Sequence, residues 1–277
     1  MSVSRRSFLK AGLAGLTVSA LPALAATAKP QVGVQLYSVR GIAGKDLAGT
    51  FKALKAMGYA GVEFAGYYGK SAKELRTILD DCGLKVCGTH IGLDQLNAAN
   101  LNKTIEFAQE IGNFSMAVSW LNAGKAEEWL GFAKILNAAA EKAKGLGMSV
   151  GYHNHQHEFK DKIDGKCKFE LFFDALSPDV SMQMDVGHVV SAGADPLYWL
   201  GRYPKHSVVT CHAKETYPGP GILGQVKEGS KGVDWDTFFP AVEKKGLKWY
   251  IVESEADPNT LDRVKGCIEF LKAKGRC

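Results

Sequence analysis

Residues 58–90 read "GYAGVEFAGYYGKSAKELRTILDDCGLKVCGTH" and hold one complete unit of the fold. The apolar run "AGVEFA" (60–65) is short and is followed by Gly66, which predicts a buried strand. "SAKELRTILDDCG" (71–83) opens with Ser71 and Glu74 in capping-box spacing and stops at a glycine, which predicts a helix. "KVCGTH" (85–90) is a second strand that ends in a polar residue. Strand, helix, strand in this span is a parallel crossover unit.

The same unit recurs along the chain. Further strands are expected at "QVGVQLY" (31–37), "FSMAVSW" (114–120), "SVGYHNH" (149–155), "VSMQMD" (180–185), "SVVTCH" (207–212) and "WYIVES" (249–254), which makes eight. Between them, "DLAGTFKALKAMG" (46–58) places Leu47, Phe51, Leu54 and Met57 on one stripe and stops at Gly58. "EEWLGFAKILNAAAEKAKGLG" (127–147) and "WDTFFPAVEKKG" (235–246) behave alike. Eight β-then-α units without a linker or a shift in composition predict a single-domain α/β fold, the (β/α)₈ TIM barrel, over residues 31–274. A doubly wound sheet is the alternative, but the turn after Tyr37, "SVRGIAGKD", lacks the glycine-rich phosphate loop that fold would want.

In such a barrel the active site lies at the C-terminal ends of the strands. Strand one ends near Gln35 and Tyr37, strand two carries Glu63 and strand three ends in His90. Strand four ends at Ser119 and Trp120, and strand five carries His153, Asn154 and His155. Strand six ends in Asp185 with His188 beyond it, strand seven in His212 followed by Lys214, and strand eight carries Glu253 and Glu255. Of seven histidines, only His206 falls away from such an end. Alternate strand residues share a face, so His153 and His155 point one way and Asn154 the other. His157 is expected to have left the strand, and Glu158 to lie beyond the barrel mouth. Converging imidazoles and carboxylates suit a divalent metal of the Mn, Co, Fe or Zn type. Each residue also has a plainer reading: a helix cap for Asp185, a hydrogen-bonded core histidine for His212, a salt bridge for Glu253.

With these residues in place, the chain resembles the xylose isomerase-like TIM barrel superfamily, in the sugar phosphate isomerase/epimerase branch with a "YHNH" fifth strand. The stretches that carry the resemblance are "QLYSVR", "GYAGVEFAGYYG", "GLKVCGTH", "GYHNHQHEF", "MQMDVGHVVSAGADP", "VVTCHAKE" and "GSKGVDWDTFF". It implies one divalent metal ion held by Asp185, His212 and Glu253, with His153 where the family's epimerases carry a glutamate. In those epimerases two glutamates move the proton on either face of the sugar carbon, so this sequence departs from them at one of the pair. The resemblance also implies substrate contact by His188. Lys214, His90 and Gln35 join it as substrate-binding candidates, and Glu253, His155 and Glu63, in that order, are candidates for proton transfer. The implied activity is a metal-dependent isomerase or epimerase acting on a keto-sugar or related polyol ketone through an enediolate. A dehydratase or lyase on oxidised sugars or glycosides, and a non-catalytic carbohydrate-binding barrel, are the alternatives. An endonuclease IV-like nuclease is disfavoured, because a further Asp-x-His after His212 is missing.

The first 25 residues carry a different message. Arg5–Arg6 precede the apolar "AGLAGLTVSALPALA", which closes on Ala23-Leu24-Ala25. This resembles a twin-arginine signal peptide cleaved near residue 25, and so implies the Tat export machinery as a partner and a periplasmic location. Its removal takes three positive charges from the net +5 and leaves +2, too weak a balance to argue for nucleic acid. No later segment reads as a membrane span, so no stable membrane association is expected, and an oligomer is compatible with the sequence. The six cysteines match no zinc or disulfide framework and read mainly as buried or free thiols.

Overall fold

The structure is a computed structural model and describes residues 29–277, so the expected signal peptide lies outside the described residues. Eight parallel strands form the barrel: β1 (Gln31–Gln35), β2 (Gly61–Ala65), β3 (Lys85–Ile91), β4 (Ser115–Val118), β5 (Ser149–His153), β6 (Val180–Gln183), β7 (Thr210–Ala213) and β8 (Trp249–Val252). Their order around the sheet is β6-β5-β4-β3-β2-β1-β8-β7. The seam between β6 and β7 is closed by the backbone of Met182, which donates to Ser207 O at 2.8 Å, and of His212, which donates to Met184 O at 2.9 Å. A parallel bridge pairs Asp185 with His212 at the top of this seam. Barrel closure therefore sets two of the expected metal ligands side by side.

The strands are buried on both faces, as parallel strands under a shell of helices must be. The shell is α1 (Leu47–Met57), α2 (Ala72–Cys82), α3 (Leu101–Glu110), α4 (Ala126–Lys144), α5 (Lys168–Ala175), α6 (Pro196–Arg202), α7 (Trp235–Glu243) and α8 (Asp262–Ala273). The capping box of Ser71 and Glu74 is formed, and α1 and α2 end at Gly58 and Gly83 as the sequence predicts. All six cysteines are unpaired, five of them buried.

Five strands stop about two residues short of their expected ends: β1 at Gln35, β4 at Val118, β5 at His153, β6 at Gln183 and β8 at Val252. Side chains take over from the ladder there. Asn154 Nδ2 donates to Asp185 O at 3.1 Å, and Asp185 N donates to Asn154 Oδ1 at 3.0 Å. Ser254 N likewise donates to Ser38 Oγ at 3.0 Å.

Two glycines admit this packing. A Cβ on Gly88 would lie 2.5 Å from Glu63 Oε1, so the glycine gives the Glu63 carboxylate room across β3. A Cβ on Gly187 would lie 2.6 Å from Glu215 O and 2.7 Å from Lys214 O, so only glycine lets the short helix Val186–Ser191 sit on the end of β7.

Candidate metal and active site

His153, Asp185, His212 and Glu253 come from β5 and the ends of β6, β7 and β8. They offer one donor atom each, all within 4.8 Å of one another, and all four residues are buried. Asp185 caps the helix Val186–Ser191, its Oδ1 accepting from His188 N at 2.9 Å. The cap and the ligand readings are compatible, because the second oxygen, Oδ2, is buried with no hydrogen-bond partner. A buried carboxylate oxygen left so is costly. Oδ2 faces His153 Nε2 at 4.0 Å, His212 Nδ1 at 4.0 Å, His188 Nε2 at 3.9 Å and Lys214 Nζ at 3.7 Å. An N₂O₂ donor set with one such oxygen fits a divalent cation.

His212 lies between two carboxylates, Glu253 Oε2 at 2.6 Å from Nδ1 and Glu63 Oε2 at 2.6 Å from Nε2. Burial opposes a charge on this ring, but the two glutamates overcome it and raise its pKa to about 10. The Glu63 bond fixes the ring and leaves Nδ1 as the atom presented to the donor set, the usual carboxylate–histidine–metal arrangement.

Glu63 is the centre of a buried layer beneath the donors. Its oxygens accept from Gln35 Nε2 at 2.7 Å and Gln183 Nε2 at 2.7 Å, and its Oε2 lies 3.2 Å from His90 Nε2. Burial works against its ionisation, but His90 and His212 outweigh that and lower its pKa. Gln183 Oε1 in turn meets His90 Nε2 at 2.8 Å, and Gln183 Nε2 also donates to Thr210 Oγ1 at 2.9 Å. Gln35 and Glu63, expected at the substrate and in proton transfer, are thus fully buried and line no part of the cavity. Both carry inward-pointing bonds instead, Gln35 Nε2 and His212 Nε2 meeting the Glu63 carboxylate.

Above the donors opens a cavity of about 1030 Å³ lined by His90, His153, His155, His188, Glu253 and Glu255, among others. His155 stands over His153 with ring centroids 4.9 Å apart, and next to His188 at 4.7 Å. Burial, then the neighbouring His188, pushes its pKa down to about 3, so this imidazole is neutral near pH 7. His153 is held well below the usual range by burial and by the histidines around it.

Lys214 Nζ is locked by Glu255 at 2.6 Å and by His188 Nε2 at 2.9 Å. Burial opposes its charge, but Glu253, Asp185 and Glu255 prevail and raise its pKa. Glu253 is also buried, yet Lys214 and His212 hold it well below the ordinary carboxylate range.

A profile of the family described as xylose isomerase-like TIM barrel matches residues 51–274. This chain belongs to that family. A solved sugar phosphate isomerase/epimerase from Parabacteroides distasonis is 25% identical, with a TM-score of 0.72 over 90% of this chain and 98% of the other. A rhizopine catabolism protein of Rhizobium meliloti, MocC, is 22% identical over 245 residues, 74% of each chain. An inosose dehydratase of Lacticaseibacillus casei is 30% identical over 148 residues, 48% of this chain and 49% of its own length, so this chain spans about half of that relative.

This xylose isomerase-like barrel holds functional neighbours that strand-end reasoning passed over. Asn154 fixes the Asp185 backbone, and Gln183 links His90, Glu63 and Thr210. Glu158, expected beyond the mouth, is fully buried and turns back beneath it. The four-residue helix His157–Lys160 reverses the chain, so Glu158 accepts from His155 N at 2.8 Å and bonds the Tyr152 hydroxyl at 2.5 Å. His157 has left the strand as predicted, and its Nε2 meets Leu121 O at 2.9 Å.

Proposed function

We propose that the protein enolises a polyhydroxylated ketone and acts as a metal-dependent isomerase or epimerase on a keto-sugar or related polyol ketone. The observation that carries this reading is the convergence of His153, Asp185, His212 and Glu253, with the partnerless Asp185 Oδ2 among their donor atoms, at the floor of an open cavity. A divalent ion held by these four would polarise the ketone and acidify the neighbouring C–H. Glu253, kept ionised and lining the cavity, takes the carbon-bound proton, and the electron pair moves to the carbonyl oxygen. The locked Lys214 ammonium stabilises oxygen charge nearby. Neutral His155 contacts the substrate from the far side and carries a proton between its oxygens. His90 and His188 orient hydroxyl groups from the cavity wall. Glu63 and Gln35 act from below, holding His212 in place.

A second reading is elimination from the same enediolate, giving a dehydratase or lyase. It is favoured by His153, which leaves one glutamate among the four donors where a two-face proton shuttle needs two. The relative named inosose dehydratase supports it. The twin-arginine stretch supports a periplasmic site of action.

The test is solvent deuterium incorporation at the carbon beside the carbonyl, across a panel of ketoses and inososes, with Mn²⁺, Co²⁺, Fe²⁺ or Zn²⁺ added. Exchange with recovery of an epimer or isomer supports the first reading, and exchange with a dehydrated or cleaved product supports the second. No exchange with any metal overturns both.

A further inference from the structure

We propose that the mouth of the barrel contains a second-ring subsite, and that the substrate is a glycoside: a keto-sugar ring at the donor set joined to a second sugar ring stacked on Trp120. This rests on the enolisation reading for the ring that reacts, and goes beyond it in naming what is attached.

The cavity of about 1030 Å³ lies at the upper end of the range of ~300–1,000 Å³ that encloses drug-sized ligands, far more than one hexose fills. Its outer wall is aromatic. The exposed large aromatics among the described residues are Tyr37 (44% exposed), Trp120 (57%), Tyr198 (56%) and Tyr217 (50%). Three of them, Tyr37, Trp120 and Tyr217, line this one cavity. They stand on the loops after β1, β4 and β7, three separate points around the mouth. Aromatic rings left partly exposed by a folded chain and gathered round one opening mark a place where an amphipathic ligand is covered.

The arrangement runs outward in a line. His153, one of the four donors, meets His155 edge-on at 4.9 Å, and His155 in turn meets Trp120 edge-on at 4.8 Å. Trp120 is thus two ring contacts from the donor set. It is also braced from behind by His157 at 4.6 Å, which fixes its plane before any ligand arrives. Arg40, which donates to Tyr37 O at 2.7 Å, and Asp161, which pairs with Lys168 at 2.9 Å, line the same wall with Lys160 and bring polar groups within reach of the hydroxyls of a sugar, whose apolar C–H face suits the indole. A flat hydrocarbon ligand would use the indole alone, whereas a second pyranose uses both the ring and the polar wall.

The probe pair is D-fructose and isomaltulose, a free ketose and the same ketose carrying a glucosyl ring, titrated against the full protein by calorimetry and followed by deuterium exchange. Isomaltulose is expected to bind about tenfold more tightly than fructose. Trp120→Ala is expected to bring the ratio of the two affinities close to one, and Trp120→Phe to restore most of it. Tyr198→Ala, on the outer surface, leaves both affinities as they are. Equal affinities in the wild type, or a ratio that survives Trp120→Ala, overturn the subsite while leaving enolisation standing if exchange is seen. Binding of both sugars with the expected ratio but no exchange in either supports the subsite and overturns the chemistry.

Discussion

Replacing Glu63 by glutamine separates the positioning role assigned to this residue from a role in proton transfer. The carboxylate accepts from Gln35 Nε2 and His212 Nε2 on Oε2, and from Gln183 Nε2 on Oε1. A glutamine offers one oxygen and one NH₂, so one of those donors must face another donor. Flipping Gln35 to relieve the clash gives up the bond its Oε1 receives from Tyr37 N. Flipping Gln183 gives up its bonds to His90 and Thr210. Each choice leaves a buried polar group unpaired, which costs about 1–3 kcal/mol. In a domain of this size that corresponds to a fall in Tm of roughly 2–4 °C per kcal/mol. The loss of the negative charge behind His212 weakens the ring as a donor, and second-layer substitutions of this kind cost about 10–100-fold in metal affinity. The assay is a metal titration against a competing chelator, paired with thermal unfolding of the metal-free protein. A Glu63→Gln variant that keeps wild-type metal affinity and Tm but loses deuterium exchange would refute the positioning role and make Glu63 a proton-transfer residue.

Three further outcomes are expected. Glu158→Ala removes the acceptor of both His155 N and the Tyr152 hydroxyl, and should cost about 1–3 kcal/mol by denaturant unfolding; an unchanged midpoint would contradict the buried placement. His206 is held neutral by burial, its folded pKa lying below the unfolded value of about 6.5. Below that pH the unfolded chain gains a proton that the folded one refuses, so stability falls as pH drops from about 6.5 toward the depressed folded value. His206→Gln should therefore flatten the stability profile on the acid side, and an unaltered slope would be evidence against the depressed pKa. Arg5→Lys with Arg6→Lys should leave the uncleaved chain in the cytoplasm, as read by cell fractionation; a processed periplasmic product would count against twin-arginine export.

The barrel was legible because its signals are local. "AGVEFA", the capped helix after it and "KVCGTH" declare themselves within 33 residues of sequence. Asp185, His212 and Glu253 stand out because each closes an apolar strand, and period-two geometry put His153 and His155 on one side. What stayed hidden depends on distance or on a change of direction. Gln183 reaches Glu63 across 120 positions and His212 reaches it across 149, and nothing in the local pattern of "EFA" or "MQM" foretells either bond. Gln35 and Glu63 were expected to meet substrate, but each is taken up by partners on other strands, Gln35 Nε2 and His212 Nε2 both reaching the Glu63 carboxylate, which the local sequence does not show. Glu158 was carried past the mouth by extending β5 in a straight line, and the short turn of helix at His157 brings it back. Trp120 follows an ordinary strand, and its importance rests on exposure and on its neighbours, neither of which sequence shows.

The most direct test is the metal content of the folded protein, measured by plasma mass spectrometry and by calorimetric titration with Mn²⁺, Co²⁺, Fe²⁺ and Zn²⁺. Wild-type protein should hold about one divalent ion per chain. Asp185→Ala and His212→Ala, shown by circular dichroism to be folded, should hold none. A folded wild type that carries no divalent ion and takes up none of the four, or an Asp185→Ala variant that binds as the wild type does, would contradict the metal site on which the proposed chemistry rests.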